Sequence, residues 1–95
     1  MIEYNSVTDI YENFIKATEK IENFTVKPTN EELLLLYGLY KQSKFGNNNT
    51  SAPFLIDIKN KAKWTAWNQQ KNKTKIAAQE EYIAFVENLS QKYTQ

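Results

Sequence analysis

The run TNEELLLLYGLYKQSKFG, Thr29 to Gly46, decides the fold. Thr29, followed three residues later by Glu32, forms a capping box that opens a helix. Leu33, Leu36, Tyr37 and Tyr40 then recur at steps of three and four, the period of an α-helix with one apolar side. Gly46 suits the position just past a helix end. A helix is therefore expected from Thr29 to about Phe45–Gly46.

Upstream, Val7, Ile10, Tyr11, Phe14, Thr18, Ile21 and Phe24 repeat the same period. Ser6 with Asp9 marks the start of this first helix, which must end before Pro28 because proline disfavours helical geometry at Lys27. Downstream, Asn47 to Pro53 is polar and reads as a surface loop. Phe54 to Ile58 is apolar except for Asp57 and reads as a tucked-in connection or a short strand, the connection being favoured. A third helix is expected over Lys59–Lys71, a turn at Asn72 and Lys73, and a fourth helix capped by Thr74 with Ile76, Ile83, Val86, Leu89 and Tyr93 on its apolar stripe. Four helices with short links make an all-α four-helix bundle.

The chain has 95 residues, enough for one domain over residues 1–95, since a second core needs on the order of 100 more. Apolar residues make up 41% and charged residues 24%, which places it with folded proteins rather than disordered tails. It has no Cys and no His, so disulfides, thiol nucleophiles, thiolate metal sites and imidazole bases are all excluded. No catalytic residues and no metal ligands emerge. The longest apolar run, Leu33–Tyr40, is far short of the ~20 residues of a membrane span. With no apolar stretch of signal-peptide length at the start, a soluble, cytoplasmic protein is expected.

Net charge is +1, with all cations Lys, but the charge is unevenly spread. Residues 1–32 sum to −4, residues 41–75 to +7 and residues 76–95 to −2. A local cation field on a neutral chain suits a compact anion better than a long polyanion.

Three groups of residues carry chemistry. Tyr37, Tyr40 and Lys41 fall at i, i+3 and i+4, so two phenols and an ammonium share a helix face. Lys59 and Lys63 share a face of the third helix, with Lys61 turned roughly 200° away and Trp64 and Trp67 flanking Lys63. Tyr82 precedes the core position Ile83. Lys offers a point charge to phosphate, and Tyr offers a stacking face and a hydroxyl donor. Taken singly, each group also fits a plainer reading: tyrosines at a core edge, lysines on a solvated face, tryptophans in the core.

Taken together they resemble the acyl-CoA-binding protein family. The segment Leu36-Tyr37-Gly38-Leu39-Tyr40-Lys41-Gln42, with Gly46 beyond it, is similar to that family's signature. Lys59-Asn60-Lys61-Ala62-Lys63-Trp64-Thr65-Ala66-Trp67-Asn68 is similar to its K-x-K-A-K-W-x-A-W-x block. Pro28, Glu31-Glu32, Pro53 and Tyr82-Ile83 match in spacing, and the resemblance is strongest over residues 14–93.

The resemblance implies an up-down-down-up bundle with a shallow bowl for a long-chain acyl-CoA. It implies that Lys41 and Lys63 meet the phosphorylated ribose with Tyr37 assisting through its hydroxyl, that Tyr40 stacks on or beside adenine, and that Lys59 and Tyr82 also touch ligand. Gly38 and Leu39 lie inside the signature and are counted with the binding segment. A non-catalytic, monomeric carrier follows, with no cofactor, no nucleic-acid partner and at most transient membrane contact. A nucleic-acid module, an acyl-CoA isomerase and a helical interaction protein are the rivals. Missing Arg and near-zero net charge weigh against the first, and short length with no acid–base pair against the second.

Four positions depart from the family pattern. Glu22 stands where Lys is common, Ala52 where Arg is, Phe54 where Gly is and Thr18 where Ala is. Phe54 is expected to reshape the loop beside the bowl and with it the chain-length preference.

Overall fold

Each helix begins where a short polar side chain supplies the hydrogen bond that the first turn lacks. A computed structural model describes residues 6–94. Among these it has four α-helices, α1 Val7–Lys20, α2 Asn30–Phe45, α3 Ile58–Asn68 and α4 Lys75–Tyr93, and no strand. The Asp9 amide donates to Ser6 Oγ at 3.2 Å ahead of α1. Thr29 and Glu32 exchange both bonds of the capping box, at 3.1 and 2.9 Å. Thr74 Oγ1 accepts from the Ala77 amide at 3.0 Å. Asp57, whose capping role the spacing did not suggest, accepts from the Asn60 amide and starts α3 one residue early.

Two helix ends differ from expectation. Helix α1 stops at Lys20 and tightens into a 3₁₀ turn over Ile21–Asn23, well before Pro28. The chain then turns to α4: the Thr25 amide and hydroxyl both donate to the Tyr93 carbonyl, at 2.7 and 2.8 Å, and Phe24 packs beside the Tyr93 ring. Helix α3 ends at Asn68 rather than Lys71. Gln70 and Lys71 donate to the carbonyls of Trp67 and Asn68, and Asn72 takes the left-handed conformation, φ 77°, with its amide held by Asn47 Oδ1 at 2.8 Å.

The helix directions follow from which residues meet. Lys20 pairs with Glu87 at 2.7 Å and Phe14 packs on Tyr82, so α1 and α4 run parallel. Glu32 pairs with Lys92, while Ser43 accepts from Gln79 further along, so α2 is antiparallel to α4. Ile58 adjoins Asn30 and Leu33, Lys63 reaches Tyr37, and Trp67 reaches Phe45, so α3 runs parallel to α2. The bundle is up-down-down-up.

Among the described residues the main core cluster is built from three helices: Ile10, Phe14 and Ala17 of α1, Leu36 and Leu39 of α2, and Tyr82, Ile83, Val86 and Leu89 of α4. Helix α3 stands outside it, packed on α2 through Gly38, Ala66 and Trp67. A Cβ on Gly38 would fall on the Ala66 carbonyl, 2.8 Å from its carbon and 3.3 Å from the Trp67 nitrogen. Only glycine allows the two backbones this close. Thr18, placed where Ala is common, donates its hydroxyl to the Ile15 carbonyl at 2.6 Å, so that hydroxyl is satisfied within its own helix.

A seam between α2 and α3

Tight contact at Gly38 brings the side chains on either side of it into register across two parallel helices. On α2, Tyr37 and Lys41 lie one turn apart, and on α3, Lys63 and Trp67 do the same. They cross-pair. Lys63 Nζ lies 5.6 Å from the centre of the Tyr37 ring, and Lys41 Nζ lies 4.8 Å from that of Trp67 and 4.5 Å from that of Phe45. Each ammonium thus rests on an aromatic ring contributed by the neighbouring helix. The two rungs are separated by about one helical pitch, ~5.4 Å. Cation–π contact of this kind contributes about 0.5–1 kcal/mol at exposed sites and holds a long side chain in place. No ion pair among the described residues engages Lys41, Lys59 or Lys63, so their charge is open to an anion.

Trp67 is fixed by its indole N–H, which donates to the Gly46 carbonyl at 2.9 Å. Gly46 makes that turn with φ 75°, the left-handed region that favours glycine. Trp64 donates to the Thr50 carbonyl at 3.0 Å and fastens the 46–53 loop. Gln42, fully buried, donates to Asn47 Oδ1 at 3.0 Å and to the Lys73 carbonyl at 2.8 Å, locking the loop and the α3–α4 turn to the end of α2. Both tryptophans pin the 46–53 loop through their indole N–H groups, and Trp67 is also buried.

From the seam toward the starts of α2 and α3 runs a groove of about 490 Å³. Leu33, Leu34, Ile58 and Ala62 form its apolar walls, with Tyr37, Lys59 and Lys63 at its polar side. This volume falls in the ~300–1,000 Å³ range of small-molecule sites. The four apolar wall residues were not singled out as a site from the sequence, because they come from two helices whose packing no local spacing reveals.

Tyr40 does not join Tyr37 at the seam. Its ring lies 5.9 Å from Phe14 and 6.4 Å from Tyr82, at the partly open end of an aromatic cluster between α1, α2 and α4. Tyr82 is buried in that cluster, edge-on to Phe14 at 5.0 Å, and burial together with Tyr40 pushes its phenol pKa up to about 12. It stays a neutral hydrogen-bond donor through the physiological range. Leu39 is in the core and Gly38 in the helix contact, so both stand behind the site rather than on its surface. Glu22 is exposed on the turn after α1 and lines no part of the groove. Phe54 is solvent-exposed and is not among the groove's lining residues.

Residues 11–86 match the family model described as Acyl CoA binding protein. The chain is 51% identical over 84 residues to an acyl-CoA-binding protein homolog of Drosophila melanogaster, covering 88% of this chain and 98% of that one. It is 46% identical to the acyl-CoA-binding protein of Dictyostelium discoideum, over 84% of this chain and 95% of the other. The crystal structure of Oryza sativa Acyl-CoA-Binding Protein 2 superposes with a TM-score of 0.83 at 36% identity, covering 87% of this chain and 92% of that one.

Proposed function

The chain belongs to the acyl-CoA-binding protein family, and from that premise we propose that it binds, buffers and transports long-chain fatty acyl-CoA esters. The observation that carries the reading is the α2–α3 seam, where two lysines without acidic partners sit on aromatic rings at the end of an apolar groove.

In this reading Lys41 and Lys63 hold the phosphorylated ribose, with the Tyr37 hydroxyl assisting between them. Adenine stacks on the open side of Tyr40, whose ring is backed by Phe14 and Tyr82. Lys59 meets the remaining negative charge at the groove edge. The acyl chain lies along Leu33, Leu34, Ile58 and Ala62, while Gly38, Leu39 and Tyr82 set the spacing and backing of the site.

The energetics divide accordingly. Burying the methylenes of a 16-carbon chain contributes up to about 11 kcal/mol, at ~0.8 each, less the ordering of chain and side chains. Each Lys–phosphate bond contributes roughly 1.5–3 kcal/mol. The tail sets affinity and the head sets identity. Nothing in the scheme requires bond making or breaking, so the protein acts as a carrier rather than an enzyme. It works as a monomer in the cytoplasm, without a cofactor and without nucleic acid, and shields a detergent-like thioester from water and membranes.

The head-group assignment is tested by a cycle with one half made in the ligand. Lys41→Ala and Lys63→Ala should each cost roughly 1.5–3 kcal/mol against palmitoyl-CoA and much less against its 3′-dephospho form. Lys61→Ala should be nearly silent. Equal losses against both ligands would remove the two lysines from the 3′-phosphate.

A further inference from the structure

The connection into α3 is not tucked in. Phe54, Leu55, Ile56 and Ile58 are 85, 81, 91 and 78% exposed. Four large apolar side chains within five residues are costly to leave in water, and contiguous exposed patches of this kind mark interaction surfaces. The single acid among them, Asp57, is engaged at home. Its carboxylate accepts from the Asn60 amide at 3.4 Å and from Asn60 Nδ2 at 2.9 Å, and its own amide donates back to the Phe54 carbonyl at 2.9 Å. The segment is therefore a formed turn that presents apolar side chains outward.

Charge indicates what covers it. Lys59, Lys61 and Lys63 follow the tip at once on the first two turns of α3, and no ion pair among the described residues engages them. An apolar tip rimmed by three cations complements a surface that is apolar within and anionic at its rim. A bilayer carrying acidic phospholipids has that character. A second copy of the chain would bring the same three lysines against these three, and its tip offers only a few side chains where a stable dimer interface buries ~800 Å² per partner.

We infer that the Phe54–Ile58 tip docks the protein on anionic phospholipid bilayers, its aliphatic and aromatic side chains entering the headgroup–acyl boundary while the α3 lysines meet the lipid phosphates. Penetration stops at that boundary, because the turn's backbone groups need water. Ile58 and Lys59 also line the α2–α3 groove, so a docked tip brings the groove wall to the membrane surface. The use of that placement, taking up or releasing an acyl chain at the bilayer, rests on the carrier reading; the docking itself does not.

The test is co-sedimentation of the full chain with vesicles of phosphatidylcholine alone or with about 30% phosphatidylserine, at low and high salt. The wild type should bind the anionic vesicles, several-fold less at high salt and on neutral vesicles. The combined Phe54→Ser, Leu55→Ser and Ile56→Ser variant should lose at least about fivefold of that binding. Its affinity for palmitoyl-CoA in vesicle-free buffer should stay within about twofold, since none of the three lines the groove. If the triple variant loses its helical circular dichroism, Ile56→Ser alone, the most exposed of the set, decides by the same loss of binding. Equal vesicle binding by wild type and variant, or no binding by the wild type, overturns the inference. So does a dimer in sedimentation velocity that the variant dissolves, which would assign the tip to a second copy. Tip-dependent vesicle binding by a protein that fails to bind palmitoyl-CoA would leave the docking standing and overturn the carrier reading.

Discussion

Substituting Gly38→Ala separates two opposing effects whose sizes the structure sets. Alanine has the higher helix propensity, so an open site in the middle of α2 would gain about 1 kcal/mol. At Gly38 the added methyl meets the backbone of α3, 2.8 Å from the Ala66 carbonyl carbon and 3.3 Å from the Trp67 nitrogen. Ordinary carbon contacts lie at ~3.5–4.0 Å, so the helices must part by roughly 1 Å. Neither atom belongs to a flexible side chain that could swing aside. Overpacking of this order costs about 1–3 kcal/mol and more where backbone must move. The net expectation is a loss of about 1–2 kcal/mol, which for a chain of this size lowers the melting temperature by roughly 4–15 °C. The same displacement spreads Lys63 from Tyr37 and Lys41 from Trp67, so palmitoyl-CoA affinity should fall as well. Urea denaturation and calorimetry on the variant read both. A variant stabilised by the full propensity gain, with affinity unchanged, would refute the argument that the α2–α3 contact builds the site.

Two further predictions concern protonation. The Tyr93 hydroxyl, the Thr29 amide and Lys92 together hold the Glu32 carboxyl at a pKa of about 2. A lowered folded pKa contributes stability above the ordinary value near 4.5 and loses it as pH falls toward 2. Glu32→Gln, which keeps the capping box, should therefore be less stable than wild type at pH 7, and the gap should close between pH 4.5 and 2 in urea titrations; a gap independent of pH would remove the charge from the account. Tyr82 has the opposite sign: its pKa is raised to about 12, so its contribution is complete below pH 10 and is lost as pH rises through 12. Tyr82→Phe should flatten the alkaline loss of stability, and an unchanged profile above pH 10 would contradict the burial of that hydroxyl.

Most of the helical framework was legible because it is local. The Thr29–Glu32 box, the Thr74 cap and the Ser6 start depend on residues three apart, and the apolar steps mark the faces that make the core. The ends of α1 and α3 were misjudged because distant groups decide them: the Tyr93 carbonyl draws Thr25 away from α1, and Asn47 holds Asn72 in its turn. The site was legible in part. Tyr37, Lys41 and Lys63 come together, and their helical spacing pointed there. The separation of Tyr40 from Tyr37 was not legible, because a three-residue step leaves two rings about 60° apart and α3 and α1 claim one each. Trp67 as a support for Lys41 depends on the parallel packing of α2 and α3, which no single helix encodes, whereas Phe45 lies on α2 itself, four residues beyond Lys41. The outward turn of Phe54–Ile58 was missed for another reason. Apolar composition argues for burial, and nothing local marks a segment that stays in solvent.

The most direct test of the carrier account is isothermal calorimetry of the wild type with acetyl-, octanoyl- and palmitoyl-CoA and with free palmitate. An apolar groove joined to a phosphate seat predicts affinity rising steeply from acetyl to palmitoyl as methylenes enter the groove. It also predicts that palmitate, lacking every phosphate contact, binds far more weakly than palmitoyl-CoA. Equal affinity for acetyl- and palmitoyl-CoA, or palmitate binding as tightly as its CoA ester, would contradict it.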